Sequence, residues 1–186
     1  MSIAKIRGRT RGIGNEFVLA CDMRFASRQS ALFGNPEVGV GLVPGGGALE
    51  WLPRLVGRSR ALEIVLSGDD SDADIAERYG WVNRTLDDKD LDSFVDLLLR
   101  RLASFDHETL AAAKAQVNRF GTPTATELQS SIGLFSPLLA LPRAQARRAK
   151  VRDIGYGVPS DFELNFGRYL PSFGRPDDDE NKAQPA

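Results

Sequence analysis

The hydrophobic pattern changes in character about halfway along the chain. Apolar and polar residues alternate over 3–7, a spacing that predicts a β-strand. Short apolar runs predict a buried helix over 17–20 and extended segments over 23–27, 31–33 and 81–84. From Ala48 onwards, apolar residues recur every three or four positions, which predicts helices. The predicted helices cover 48–56, 58–66, a segment that opens at 71–74 and runs to 79, 90–105, 108–120, 124–134 and 144–154.

Glycines and prolines mark the ends of these elements. Gly57 and Gly68 are natural helix stops, and Pro137 is expected to end the helix before it. The residues 71–74 resemble a capping box, with Ser71 as the cap. Residues 34–47 hold six glycines and two prolines in fourteen positions, which predicts a long irregular loop. Loops of this kind inside compact domains often carry function.

The chain has few predicted strands for its length. A chain of 186 residues can bury a real core, yet a parallel sheet normally has more strands than this pattern supplies. We therefore expect a partial α/β core over 1–86, a helical region over 87–173 and a disordered tail over 174–186.

Composition narrows the classes of function. The formal net charge is −1 and there is one cysteine, so neither a nucleic-acid partner, an anionic membrane nor a disulfide framework is expected. The start of the chain lacks a secretory signal, and the expected location is the cytoplasm. His107 is the one histidine, which argues against a histidine triad, and no metal site is expected.

The glycine turn at Gly12 and Gly14 could belong to a phosphate-binding loop or to a catalytic turn. A dinucleotide fingerprint requires a third glycine where Phe17 stands, and no Gly-Lys-Ser/Thr follows. The phosphate-loop interpretation is therefore rejected. Glu16, alone, would be a solvated or structural residue, but it lies between this turn and an apolar run. Glu37 follows twenty-one residues later in the glycine-proline loop, and two such carboxylates could serve acid–base chemistry in one pocket.

Several motifs together resemble a known family. They are the pattern I-x-G-x-x-x-G-x-G-x-E-x-x-x-A-C-D, the run F-G-N-P-E-V-G-V-G-L-V-P-G-G-G, the run L-P-R-L-V-G-R-S-R-A-L-E-I-V-L-S-G, and A-x-x-Y-G-W-V-N-R. Over about residues 3–84 the chain resembles the crotonase (enoyl-CoA hydratase/isomerase) superfamily. The resemblance implies a crotonase-type ββα spiral, here apparently lacking the N-terminal part of the fold, with C-terminal helices.

The resemblance also implies a site. Glu16 matches the glutamate that activates water at Cβ of an acyl-CoA, and Glu37 matches the one that exchanges a proton at Cα. Gly12, Ile13, Gly14, Pro36 and Gly45 fall at oxyanion or substrate-binding positions. Ile13 stands where the family has glycine, and its branched side chain is expected to crowd the thioester.

The implied substrate is an acyl-CoA, with coenzyme A carried by the substrate and no separate cofactor. A homotrimer or hexamer is implied, in which C-terminal helices can bring a basic group toward coenzyme A. Hydration of a trans-2-enoyl-CoA is the first expectation. Isomerisation or thioester hydrolysis would use the same scaffold, and a truncated, non-catalytic protein that only oligomerises is the alternative from another class.

Two further residue expectations concern the first strand and turn. Arg7, Arg9 and Arg11 alternate, so they are expected to share one face, which is either solvated, covered by a partner or in contact with coenzyme A phosphates. Asn15 is expected to add a hydrogen bond to the neighbouring Glu16.

Overall fold

The computed structural model describes residues 1–173; the predicted disordered tail, 174–186, lies outside the described residues. Two small sheets organise the first half. The strands are β1 (Ile3–Ile6), β2 (Arg9–Arg11), β3 (Met23–Ser27), β4 (Leu32–Gly34), β5 (Ser71–Asp72) and β6 (Arg84–Leu86). One sheet has the order β1-β3-β6 and is parallel throughout. In the other sheet β4 pairs parallel with β2 and antiparallel with β5.

Helices connect and cover these strands. They are α1 (Ile13–Leu19), α2 (Ala48–Val56), α3 (Arg58–Ser67), α4 (Ala73–Tyr79), α5 (Asp88–Ala103), α6 (His107–Gly121), α7 (Ala125–Leu139), α8 (Pro142–Ile154), α9 (Asp161–Leu164) and α10 (Phe166–Tyr169), with 3₁₀ helices at Pro36–Val40 and Leu170–Phe173. Parallel strands need such crossovers, and α1 is the crossover between the paired strands β1 and β3. The expected mixture of α and β structure is confirmed.

Three apolar clusters hold the described residues together. The largest joins both sheets to α1–α4 and includes Leu19, Phe33, Leu52 and Trp81, all of them fully buried. A second cluster packs α5 against β3, and a third is formed by aromatic rings from α9, α10 and the last 3₁₀ helix. The third cluster also contacts Val40, so the C-terminal helices return to the loop that carries Glu37. How the chain divides into domains stays a prediction.

Four local predictions are wrong, each for an identifiable reason. Ser71 is not the cap of α4, because it pairs with β4 and the Asp72 side chain accepts the Ile75 N–H. The strand predicted over 81–84 begins later, at Arg84, as β6. The Trp81 and Val82 N–H groups donate to the Ala76 carbonyl and so complete the end of α4.

The helix α1 is longer than the predicted 17–20 segment and is buried on one side only. Its inward side holds Asn15, Glu16, Val18 and Leu19, whereas Phe17 is 72% exposed. The helix α7 continues through Pro137 to Leu139. Proline removes one backbone donor, but here it falls in the last turn of a largely exposed helix, where water can bond the carbonyl left without it.

Candidate active site

Glu16 and Glu37 are brought to the same glycine turn by different elements. Glu16 lies in α1, immediately after the turn, and is only 4% exposed. Glu37 lies in the first turn of the Pro36–Val40 3₁₀ helix, and its Oε1 atom is so close to Gly12 that a Cβ there would approach it to 2.9 Å. Gly12 has φ +53°, a value that glycine adopts readily. The turn therefore requires glycine both for its backbone and for the Glu37 carboxyl group.

Glu16 is held by two backbone donors that the sequence did not reveal. Its Oε1 atom accepts from the Gly46 N–H at 2.7 Å and from the Ala48 N–H at 3.3 Å. Ala48 is the first residue of α2, so the carboxylate lies at the positive end of that helix. A Cβ on Gly46 would lie 2.5 Å from Glu16 Oε2, which explains why this position is glycine. The expected bond from Asn15 to Glu16 is absent from the described contacts; the Asn15 amide bonds Asn35 and Trp81 instead.

Burial raises the pKa of Glu37 to about 7. Loss of hydration is the main cause, and the nearby Glu16 carboxylate raises it further. The backbone N–H of Glu37 itself and the Asn35 amide, which donates to Oε2 at 3.3 Å, act in the opposite direction. A carboxyl group with this pKa can both give and take a proton near neutral pH.

A cleft of about 310 Å³ opens beside Glu37. Four of the predicted site residues, Gly12, Ile13, Pro36 and Glu37, line one wall, whereas Glu16 is not among the lining residues. The opposite wall comes from the C-terminal region and contains residues that sequence patterns did not single out individually for this site, namely Arg148, Arg152, Tyr156 and Phe166. Burial raises the pKa of Tyr156, and the carboxylates of Glu163 and Glu37 add to the increase.

Two further predicted residues, Gly14 and Gly45, are not among the residues that line the cleft. Gly14 is in the first turn of α1, and nothing lies within 4 Å of the place where its Cβ would be. Gly45 packs against α7, since a Cβ there would lie 2.8 Å from the Phe135 ring. The Gly12 N–H donates to the Gly34 carbonyl. The N–H groups of Ile13 and Gly14 lie in the first turn of α1 and therefore have no intrahelical acceptors.

The arginines of the first strands do not share a face. Gly8, with φ +90°, separates β1 from β2 and ends the simple alternation. Arg7 is exposed and pairs with Asp88 and Asp92, whereas Arg11 is buried. Arg11 makes two 2.6 Å hydrogen bonds to Asp70 and also donates to the carbonyls of Glu163 and Leu164. It therefore fastens the C-terminal helices to the core.

Neither a metal site nor a membrane-spanning helix is found among the described residues. Within 1–173 no group of three or more histidine, cysteine or acidic side chains is arranged to hold a metal ion. In the same range, no helix combines the length and apolar character needed to cross a membrane.

Comparison with known proteins identifies the family and the fold. The profile of the family described as enoyl-CoA hydratase/isomerase matches residues 1–140. The chain therefore belongs to the enoyl-CoA hydratase/isomerase family, and its fold is that of the crotonases.

Two relatives named as hydratases and one solved structure are similar to this chain. The chain is 37% identical over 116 residues to a crotonyl-CoA hydratase of Syntrophomonas wolfei, a match that covers 62% of this chain and 44% of the relative. It is 34% identical over 139 residues to a short-chain-enoyl-CoA hydratase of Clostridioides difficile, covering 75% and 86%. The crystal structure of a putative enoyl-CoA hydratase from Streptomyces avermitilis matches with 47% identity and a TM-score of 0.91, covering 93% of this chain and 62% of that one. The chain thus spans less than half of the Syntrophomonas relative and less than two thirds of the Streptomyces structure.

Proposed function

We propose that this chain takes part in hydration of a trans-2-enoyl-CoA, with Glu16 and Glu37 as the acid–base pair. The observation that carries the proposal is the placement of both carboxyl groups around the Gly12 turn, with the pKa of Glu37 at about 7. Hydration needs one group that accepts a proton from water and a second that supplies a proton to carbon. The names of the Syntrophomonas and Clostridioides relatives, both hydratases, are consistent with this reaction.

In the proposed reaction, Glu16 accepts a proton from a water molecule whose oxygen bonds to Cβ of the enoyl group. The electron pair of the double bond moves toward the thioester carbonyl, giving an enolate-like intermediate. Protonated Glu37 then delivers its proton to Cα, so that H and OH have added across the double bond. The backbone N–H groups that hold Glu16 orient its carboxylate for this task.

The N-terminal N–H groups of α1 are the proposed donors to the thioester oxygen. Ile13 and Gly14 lack intrahelical acceptors for these groups, and a donor aimed at a developing oxyanion typically changes rates by about 10²–10³. The side chain of Ile13 is 74% exposed and lines the cleft, so it limits the room next to these donors.

The size of the cleft favours a short acyl group. A volume of about 310 Å³ is at the small end of ligand pockets, and much of the lining is apolar: Ile13, Pro36, Val40, Leu42, Val151 and Phe166. The names of two relatives, a crotonyl-CoA and a short-chain-enoyl-CoA hydratase, agree with this size. Coenzyme A would enter as part of the substrate.

Crotonyl-CoA hydration, followed by the loss of enoyl-thioester absorbance, tests the proposal. Glu16→Gln and Glu37→Gln should each lower kcat by about 10²–10⁴, since each removes a proton-transfer group while keeping its shape. Glu63→Gln is the matched control, because Glu63 is exposed on α3, accepts a hydrogen bond from the Tyr79 hydroxyl and does not line the cleft. Equal rates in all four proteins would contradict the assignment of the two glutamates.

A second candidate, a non-catalytic oligomerising member of the family, is favoured by one feature. None of the fifteen residues of helix α6 is buried. Its apolar residues Val117 and Phe120 are 69% and 82% exposed. We infer that this apolar face packs against another copy of the chain in a homo-oligomer. Absence of hydration by the unmodified chain, together with stable self-association, would favour this second candidate. A location in the cytoplasm remains part of the proposal, and the single cysteine is consistent with it.

A further inference from the structure

A chain of buried amides leads from the core to Glu37. The Trp81 indole N–H donates to Asn15 Oδ1 at 3.0 Å, and Asn15 Nδ2 donates to Asn35 Oδ1 at 2.7 Å. Asn35 Nδ2 then donates to Glu37 Oε2 at 3.3 Å. Trp81, Asn15 and Asn35 are all 0% exposed, so water does not compete for these bonds. We call Trp81, Asn15 and Asn35 the amide relay.

The direction of the amide relay is set at its buried end. An indole N–H can only donate, so the group facing Trp81 must be the Asn15 oxygen. The Asn15 amino group then faces Asn35, which must present its own oxygen there and its amino group to Glu37. Reversing either amide would set two donors or two acceptors against each other in the core, which is costly.

We propose that Asn15 and Asn35 are positioning residues that present a fixed N–H donor to the Glu37 carboxyl group and thereby stabilise its ionised form. The catalytic meaning of this inference rests on the proposed function, because Glu37 becomes a carboxylate when it delivers its proton to Cα. The relay would then stabilise that product of the transfer and hold Oε1, the other oxygen, beside Gly12.

Other charged and titratable groups either act on Glu37 or line its cleft. Glu16 approaches from α1, Arg148 and Arg152 from α8, and Tyr156 from the turn after α8. The relay is distinct from them because it is neutral and buried, so its effect should survive high salt whereas those of the exposed arginines should not.

The test is a titration of Glu37 that does not require turnover. The side-chain carboxyl carbon of Glu37, labelled with ¹³C and assigned with Glu37→Gln, reports the pKa by NMR in the full chain. Asn35→Leu removes the donor without adding charge and should raise the pKa of Glu37 by about one. Asn15→Leu should also raise it, although Asn15 contacts Asn35 and Trp81 rather than Glu37.

The combined variant and a matched control separate a relay from general loosening of the core. The double variant should raise the pKa no more than Asn35→Leu alone, because both changes act through one donor. Asn83→Leu is the control: it removes the acceptor of the Arg24 N–H, a bond that involves none of the relay residues, and should leave the pKa of Glu37 unchanged. Additive shifts, or an equal shift in the control, would overturn the inference.

The unmodified chain supplies a measurement that no folding defect can obscure. The side-chain amide signals of Asn35 and Asn15 and the indole signal of Trp81 should all titrate at the pKa of Glu37, with decreasing amplitude, while those of Asn83 stay constant. Amide signals that ignore Glu37 would overturn the relay. Absence of hydration by the unmodified chain, with the amide and indole signals still titrating at the pKa of Glu37, would instead count against the proposed function alone.

Discussion

Glu37 shows how burial that suits catalysis also affects stability. Its pKa is about 7 in the folded protein, against 4.5 for the free side chain, mainly because the carboxyl group is desolvated. The folded state therefore binds this proton more tightly than the unfolded state does. The resulting stabilisation is complete below about pH 4.5 and disappears as the pH rises through 7.

Glu37→Gln should remove this pH dependence. The free energy of unfolding of the unmodified chain, relative to that of the variant, should fall by roughly 2–4 kcal/mol between pH 4.5 and 8. Urea unfolding at a series of pH values measures the difference. Glu63→Gln, on the surface of α3, should track the unmodified chain throughout. A difference that does not vary with pH would show that Glu37 has an ordinary pKa.

Arg11 is the other residue whose burial has a large expected energy. Arg11→Met removes the partner of Asp70, whose side chain is only 13% exposed, and should lower the free energy of unfolding by about 3–5 kcal/mol. Arg28→Met is the matched control: the Arg28–Asp74 pair is about half exposed on both sides and should cost less than about 1 kcal/mol. Similar losses in both variants, by denaturant unfolding, would contradict the structural role of Arg11.

At the scale of elements, the entry of α1 determines the geometry of the site. The turn residue Gly12 has a positive φ and touches Glu37, whereas Gly14, two residues on, is helical and faces open space. The two glycines of this motif are therefore favoured at their positions for different physical reasons. Gly12 is needed for backbone conformation and for the carboxyl group, and Gly14 is replaceable in terms of stability.

Alanine substitution should separate these two positions. Gly12→Ala should lower the free energy of unfolding by about 1–2 kcal/mol and change the pKa of Glu37, because the new methyl group meets its carboxyl oxygen. Gly14→Ala should be neutral or stabilise by up to about 1 kcal/mol, since alanine favours a helix. Thermal unfolding and the Glu37 NMR titration measure both effects. A larger loss at Gly14 than at Gly12 would refute this assignment.

At the scale of the whole molecule, one helix remains to be accounted for. The helix α6 buries no residue in the described chain, and an isolated helix of fifteen residues is only marginally stable in water. Contact with another copy of the chain would supply the missing burial.

Charge on the apolar face of α6 should therefore disrupt self-association. Phe120→Lys is expected to shift the sedimentation profile from an assembly toward the 20.3 kDa monomer. Ala115→Lys places the same charge on the opposite face of the same helix and should leave the assembly intact. A monomeric unmodified chain, or equal behaviour of both variants, would contradict this role of α6.

Sequence patterns predicted the elements whose signals are local. Gly57 and Gly68 end α2 and α3 as expected, and the apolar spacing that predicted a helix over 90–105 agrees with the burial of Leu91 and Val95 on α5. The family motifs also identified Glu16 and Glu37 as candidates, because those residues stand at fixed distances from glycines in the same motifs.

Contacts between distant segments were decided by the tertiary structure. The sequence by itself determined the family and most of the longer helices and indicated two candidate carboxylates, since propensity, periodicity and motif spacing act over a few residues. The bonds of Asn15 to Asn35 and Trp81, the Gly46 N–H on Glu16, and Tyr156 in the cleft with Glu37 join residues that lie 20 to 119 positions apart. Nothing in the local pattern distinguishes a buried, hydrogen-bonded asparagine from one in a surface turn. Only packing in three dimensions removes water from Asn15 and Asn35, and that removal gives their hydrogen bonds to Trp81 and Glu37 a fixed direction.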